Sequence, residues 1–271
     1  MPGDKKNLVL GTAIGYGVPE ISIFVKSFRE YNRIDEVMLV VDSSISIDVI
    51  NFCIAHNIKY TPFEAYKFIP THIQNSRYIK YLEILLDNIM RYDKVFLSDV
   101  RDVVFQGDIF DDLPEQFLYY FMEYEHDTIG NNAFNAEFIK RNYGNEVFEL
   151  LKDANIFCSG TTLGDFNSIL HYLFSLLAQR DCAKFMELTR EADEQGPHNY
   201  LFHFGNLRIT PKANGDIVGT LGATASANPS AITRDGGRYI VNGRCPKVLH
   251  QYDRCAEIYD HFVKRYLGMG S

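Results

Sequence analysis

Two carboxylates follow an apolar run in the segment Lys94-Val-Phe-Leu-Ser-Asp-Val-Arg-Asp-Val-Val-Phe-Gln106: Asp99 and Asp102, with Arg101 between them. Carboxylates at this spacing beyond a strand end can share one hard divalent cation, because Mg²⁺ and Mn²⁺ take oxygen ligands and keep positions open for phosphate oxygens. The same spacing also suits a solvated turn whose acids are capped by Arg101, and the residues alone leave both readings open. Arg77, preceded by Asn75 and Ser76, stands near the start of a helical stretch. A guanidinium there can grip phosphate or sugar oxygens bidentately, or serve in a surface salt bridge. Lys80, one turn on, is a second and weaker cationic candidate. Asp42 closes another apolar run, where it can meet a base or ribose or cap a turn.

The elements that must position these side chains alternate in type. Leu8 to Ile14 reads as a buried strand closed by Gly15 and Gly17, and Ile21, Phe24, Val25 and Phe28 mark one face of a helix that Pro19 can start. Val37 to Val41 is a second buried strand ending at Asp42. Ile47 to His56 is a helix capped by Ser46, and Ile58 to Phe63 a short strand. A long helix from about Gln74 to Arg91 precedes the strand Lys94 to Leu97. This order predicts an α/β fold with a mainly parallel sheet and helices on both faces. Ligands bind such sheets beyond the carboxyl ends of the strands, so Gly11 to Gly17, Asp42 and Ser98 to Asp102 should converge. Further on, Phe117 to Glu123 and Ile156 to Leu163 read as strands, Ala133 to Lys152 as one or two helices, and Phe166 to Gln179 and Glu194 to Phe204 as helices. The Gly/Ala/Ser-rich stretch from Asn214 to Pro246 carries hairpin signals at Asn214-Gly215 and Asp235-Gly236-Gly237, and reads as a closing lid or an ordered β-meander. Val248 to Gln251 is a short strand and Cys255 to Leu267 a last helix. No linker, repeat or low-complexity tract interrupts the chain, so residues 1–271 read as one domain.

An apolar strand, an acidic pair and then Val104-Phe-Gln106 resemble the DxD region of glycosyltransferases with the A-type fold (GT-A), particularly the glycogenin-like and galactosyltransferase-like branches. The resemblance implies a single Rossmann-like GT-A domain, with a nucleotide-binding half over about residues 1–106 and an acceptor and catalytic half over about 107–271. It also implies Mn²⁺ or Mg²⁺ held by the carboxylates against the diphosphate of a nucleotide sugar. The sequence departs from strict DxD. Measured back from Phe105, Asp102 matches the second aspartate and Asp99 stands one place off the first. Other segments are similar to the family in the same order. Gly11-Thr12-Ala13-Ile14-Gly15-Tyr16 looks like its nucleotide-contacting start, although the glycines do not form a dinucleotide fingerprint. Cys158-Ser159-Gly160 is similar to its Asn-Ser-Gly segment beside the donor sugar, with Cys in place of Asn. With no histidine near it in sequence, Cys158 reads as a core thiol and not a nucleophile. Asp193-Glu194-Gln195 resembles the acidic DQ segment near the anomeric carbon, although acids in a first helical turn need no such role. His250 matches the position of a third metal ligand. Arg254 is placed to reach the diphosphate, and Tyr252 or Asp253 the acceptor. A glycogenin-like histidine leans the expectation toward retention, with Gln195 near the sugar face; in an inverting enzyme Asp193 or Glu194 would be the base.

Composition sets the outer limits. Lys and Arg number 27 against 35 Asp and Glu, a net charge of −8, which argues against a duplex-binding protein. It still allows a nucleotide in a locally positive pocket. With 46% hydrophobic and 23% charged residues, the chain can build a full core. Twenty Phe and 17 Tyr without Trp suit a protein that handles carbohydrates or nucleotides. Five scattered cysteines without a CxxC pair predict reduced thiols. No apolar run of membrane-spanning length and no signal-peptide pattern is found, so the expected location is cytoplasmic. The sequence thus predicts a metal-dependent glycosyltransferase transferring a sugar from a UDP- or GDP-sugar to a glycan or other hydroxyl acceptor. The alternatives are a metal-dependent nucleotidyltransferase or phosphohydrolase, and a catalytically inactive sugar-nucleotide-binding module.

Overall fold

A computed structural model describes residues 5–64, 73–179 and 194–268, with the side chains of its third helix described from Ser76 onward. The first half lays down β1 (Lys6–Thr12), α1 (Val18–Tyr31), β2 (Glu36–Asp42), α2 (Ile47–Ala55), β3 (Lys59–Phe63), α3 (Ile73–Asp87), β4 (Tyr92–Ser98) and β5 (Val103–Phe105). There follow β6 (Leu118–Met122), α4 (Ala133–Leu151), β7 (Phe157–Asp165), α5 (Phe166–Ala178) and α6 (Gln195–Phe204). The chain closes with β8 (Thr210–Lys212), β9 (Val218–Thr220), α7 (Gly222–Ala227), β10 (Ile232–Asp235), β11 (Arg238–Val241), β12 (Val248–His250) and α8 (Ala256–Leu267).

The fold is α/β, built on a seven-stranded sheet in the order β3-β2-β1-β4-β7-β6-β8. The sheet is mainly parallel. The pairs β1–β2, β1–β4, β2–β3 and β6–β8 are parallel, while β7 runs against both β4 and β6. Near-continuous apolar strands are what a sheet covered on both faces requires, and alternate residues divide between two cores. Val9, Phe96 and Leu163 pack with Phe24 and Phe28 of α1 and Val49 of α2. Leu8, Leu10, Val95 and Leu97 pack with Tyr81 and Leu85 of α3, Ile169 and Leu173 of α5, and Leu201 of α6. Each such side chain contributes roughly 1.5–3 kcal/mol on burial. Local caps hold the entries: Ser46 accepts from the Val49 amide, and Asp165 from those of Asn167 and Ser168. Gly144, at φ +85°, bends α4.

A second sheet of three short strands, in the order β5-β12-β9, lies against α1 on one side and α8 on the other. Its middle strand ends at His250, paired across to Val103 and Thr220. The hairpin expected at Asp235-Gly236-Gly237 joins β10 to β11. The one expected at Asn214-Gly215 does not form, because β8 and β9 belong to different sheets. Both ends of the stretch from 214 to 246 are built into the fold. Asn214 is fully buried and bonds the carbonyls of Glu123 and Thr220, the Thr224 hydroxyl and the Thr220 amide, and Val218 and Val241 are core residues. Among the described residues, no helix is long and apolar enough to cross a membrane.

Candidate metal and ligand site

In the order β3-β2-β1-β4 the chain reverses its direction of winding between β1 and β4, and their carboxyl ends open a crevice there. Four segments meet at it. Thr12 ends β1, with Ile14 and Tyr16 just beyond it, and Asp99 to Asp102 follow β4. Antiparallel β7 brings its first residues, Cys158 to Gly160, to the same rim, and β12 brings its last, His250. Together with Arg77, Glu194, Gln195, Gln251 and Arg254 they line a cleft of about 310 Å³. The convergence expected from strand order is therefore present in part: Asp42, expected at a base or ribose, does not line the cleft and instead caps the β1 turn, accepting from the Gly15 amide at 2.6 Å.

At the floor of the cleft, one ligand atom each of Asp99, Asp102 and His250 lie within 4.8 Å of one another. His250 Nε2 stands 3.3 Å from Asp99 Oδ2 and 3.9 Å from Asp102 Oδ2. It is buried between the two carboxylates, while Nδ1 contacts Cys158 Sγ at 3.6 Å. Two carboxylates and an imidazole nitrogen converging on one point make a donor set suited to a small divalent cation, with Mn²⁺ better matched than Mg²⁺ to the nitrogen. The same surroundings act on the His250 imidazole. Burial disfavours its charged form, but Cys158 and Asp102 hold its pKa well above the ordinary value. Asp99 is held well below the usual range, Arg77 and His250 outweighing burial. Asp102 is pushed up, chiefly by burial.

Arg77 is buried and reaches Asp99, Glu194 at 3.5 Å and the Tyr78 hydroxyl at 3.2 Å. Its guanidinium therefore pairs with protein carboxylates in the cleft wall, where the sequence offered donor oxygens or a surface salt bridge. Arg101 and Arg254 are the open cations of the rim, their side chains 51% and 60% exposed, both against Asp253. Gln195 Nε2 donates to Asn135 Oδ1 at 3.0 Å and to Glu123 Oε2 at 3.2 Å, so its Oε1 faces the Ser159 amide and hydroxyl at 3.4 Å.

Of the sequence candidates, Thr12, Tyr16, Arg77, Asp99, Arg101, Asp102, Ser159, Gly160, Glu194, Gln195, His250 and Arg254 line the one cleft. Several others do not. Gly11 lies beneath it, where an added Cβ would come 2.5 Å from Val100 Cγ2. Ala13 is in the core, its amide bonded to Val40. Ser98 is buried and turns its hydroxyl onto the Asp99 carbonyl. Lys80 pairs with Glu83 and lines a separate surface pocket beside β3. Asp193 and the side chain of Asn75 lie outside the described residues. Sequence reading missed Glu123 and Gln251. Glu123 follows a strand end just as Asp99 does, which is the signal that was there to use, and burial raises its pKa.

Gly160 is required by proximity. A Cβ there would stand 2.5 Å from Asp99 Oδ2 and 2.6 Å from His250 Cε1. Gly160→Ala is expected to weaken Mn²⁺ binding at least tenfold while shifting the melting temperature by only a few degrees, since the surrounding ladder is unchanged. A calorimetric Mn²⁺ titration beside a melting curve checks both.

No protein-family model matches the chain, and no curated protein matches it.

Proposed function

We propose that this protein is a metal-dependent glycosyltransferase of GT-A architecture that transfers a sugar from a nucleotide-diphospho-sugar to a glycan or other hydroxyl acceptor. The observation that carries the reading is the junction, at one sheet switch point, of the Asp99–Asp102–His250 cluster, the rim cations Arg101 and Arg254, and the Gln195 carboxamide. A divalent cation held there supplies Lewis-acid stabilisation of a departing nucleoside diphosphate. The chain's own groups do the rest. Arg101 and Arg254 add positive charge at the open side, where a diphosphate needs it. Ser159 and the Gln195 Oε1 line the inner wall and orient hydroxyls of the donor. Glu194, tied to Arg77 and facing the Ser159 hydroxyl at 3.5 Å, keeps the inner wall negative, where positive charge develops on the sugar as its bond to phosphate breaks.

The test is a thermal-shift panel of UDP-, GDP- and CDP-sugars with and without Mn²⁺, followed by product analysis for the responding donor. Mn²⁺-dependent stabilisation by one nucleotide family, with sugar found on an added hydroxyl acceptor, supports the reading. Nucleotide consumed with only inorganic or nucleotide products favours a phosphohydrolase or nucleotidyltransferase. No response to any nucleotide in any metal overturns the proposal.

A further inference from the structure

Cys158 and His250 come from strands far apart in the chain, and both are almost wholly buried. The backbone of His250 is fixed by pairing to Val103 and Thr220, and one edge of its ring abuts Gly160, where no Cβ intervenes. What remains to be set is the rotation of the ring and the placement of its proton. An imidazole that binds a metal through one nitrogen holds its orientation by donating from the other. Here the other nitrogen, Nδ1, meets the Cys158 sulfur at 3.6 Å, whereas Nε2 is buried and faces Asp99 and Asp102. A cation bound by the cluster takes the place of any proton on Nε2, so the neutral ring must then carry its proton on Nδ1. A proton on Nδ1 is received by sulfur, and the Nε2 lone pair is left pointing at the cluster.

We infer that Cys158 is a positioning residue for cation binding: its sulfur accepts from Nδ1 of His250 and so presents Nε2 as a ligand atom beside Asp99 and Asp102. The inference rests on the reading of those three residues as a cation site. It gives a task to a thiol that sequence reading assigned to the core, and the task differs from those of a nucleophile, a redox centre or a metal ligand.

The experiment is a Mn²⁺ titration of the full chain, followed by electron paramagnetic resonance of the free ion, for wild type, Cys158→Ala, Cys158→Ser and Cys53→Ala. Cys53 is also fully buried but lies in the core beside α1, so it controls for loss of packing. Cys158→Ala is expected to weaken Mn²⁺ binding about 10- to 100-fold. Cys158→Ser, whose hydroxyl still accepts, should restore most of the affinity, and Cys53→Ala should leave it unchanged. In the Mg²⁺-saturated wild type, ¹⁵N NMR should place the imidazole proton on Nδ1, a readout that needs no variant to fold. Wild-type affinity in Cys158→Ala, equal weakening in Ala and Ser, or a proton on Nε2 overturns the positioning role. Failure of the wild type to bind Mn²⁺ at all overturns the cation site itself, and the two failures are told apart by that first titration.

Discussion

Asp102→Asn is expected to lower Mn²⁺-dependent sugar transfer by about a thousandfold or more while leaving the protein folded. The substitution keeps the shape of the side chain and removes its charge. Among the protein's own groups that charge is poorly compensated. Asp102 is mostly buried, stands 3.9 Å from the His250 imidazole, and has its pKa pushed up by burial. Losing it therefore costs the fold little, and the melting temperature should hold or rise slightly. A cation held by the proposed cluster would lose one of its two carboxylates. Several kcal/mol of charge stabilisation is at stake, and roughly 1.4 kcal/mol corresponds to each tenfold in rate. Asp99→Asn would behave differently, because Asp99 also neutralises the buried guanidinium of Arg77, and an uncompensated buried charge destabilises strongly. Initial rates across a Mn²⁺ series, with a melting curve for each variant, separate the two. Wild-type turnover in Asp102→Asn would remove this aspartate from the chemistry.

The second large effect is on stability in acid. His198, in α6, is fully buried, with its ring stacked on Tyr120 at 3.8 Å and its Nδ1 2.9 Å from the Tyr172 hydroxyl. Burial, aided by Arg77, lowers its pKa to about 3. The sign follows from where the proton binds. The unfolded chain takes up a proton near pH 6.5 and the folded chain resists it until about pH 3. The stability this histidine contributes is therefore fully present above pH 6.5 and is lost as pH falls through that window. The slope approaches about 1.4 kcal/mol per pH unit in its middle. Urea unfolding between pH 7 and 4 should show this decline, and His198→Phe, which keeps the stacking and cannot be protonated, should flatten it. An unchanged slope in the variant would assign the acid sensitivity to other groups.

The features legible in the sequence were those that local physics determines. Val9, Phe96 and their neighbours form unbroken apolar runs, which only a sheet covered on both faces buries, so β1, β2 and β4 and the crevice beyond them could be read directly. Ser46 and Asp165 mark helix entries by their side-chain chemistry. The direction of β7 could not be read, because apolar periodicity is identical for a strand and its reverse; yet that direction is what brings Cys158 and Gly160, instead of Asp165, to the cleft. Val248 to Gln251 was legible as a short strand, but strands as short as Val103–Phe105 and Val218–Thr220 carry no period to detect, so the small sheet that aims His250 was hidden. Arg77 and Lys80 are both cations on one helix, and the sequence ranks Arg77 above Lys80 only by its place near the helix start. Burial against Asp99 and Glu194 separates them, and burial of a charge is a property of the assembled molecule. Cys158 seemed remote from any histidine because the partner lies in a strand laid down much later.

That separation bears on how the molecule comes into being. Asp99 and Asp102 leave the ribosome long before His250, and β12 can take its place only between β5 and β9, closing loops of very different lengths as it inserts. A nascent or truncated chain that ends before β12 would hold both acids and have no imidazole to complete the cluster. Cation capture would thus follow completion of the chain, and a captured ion would in turn hold the last strand in place, since any ligand bound only by the finished structure draws the folding equilibrium toward it.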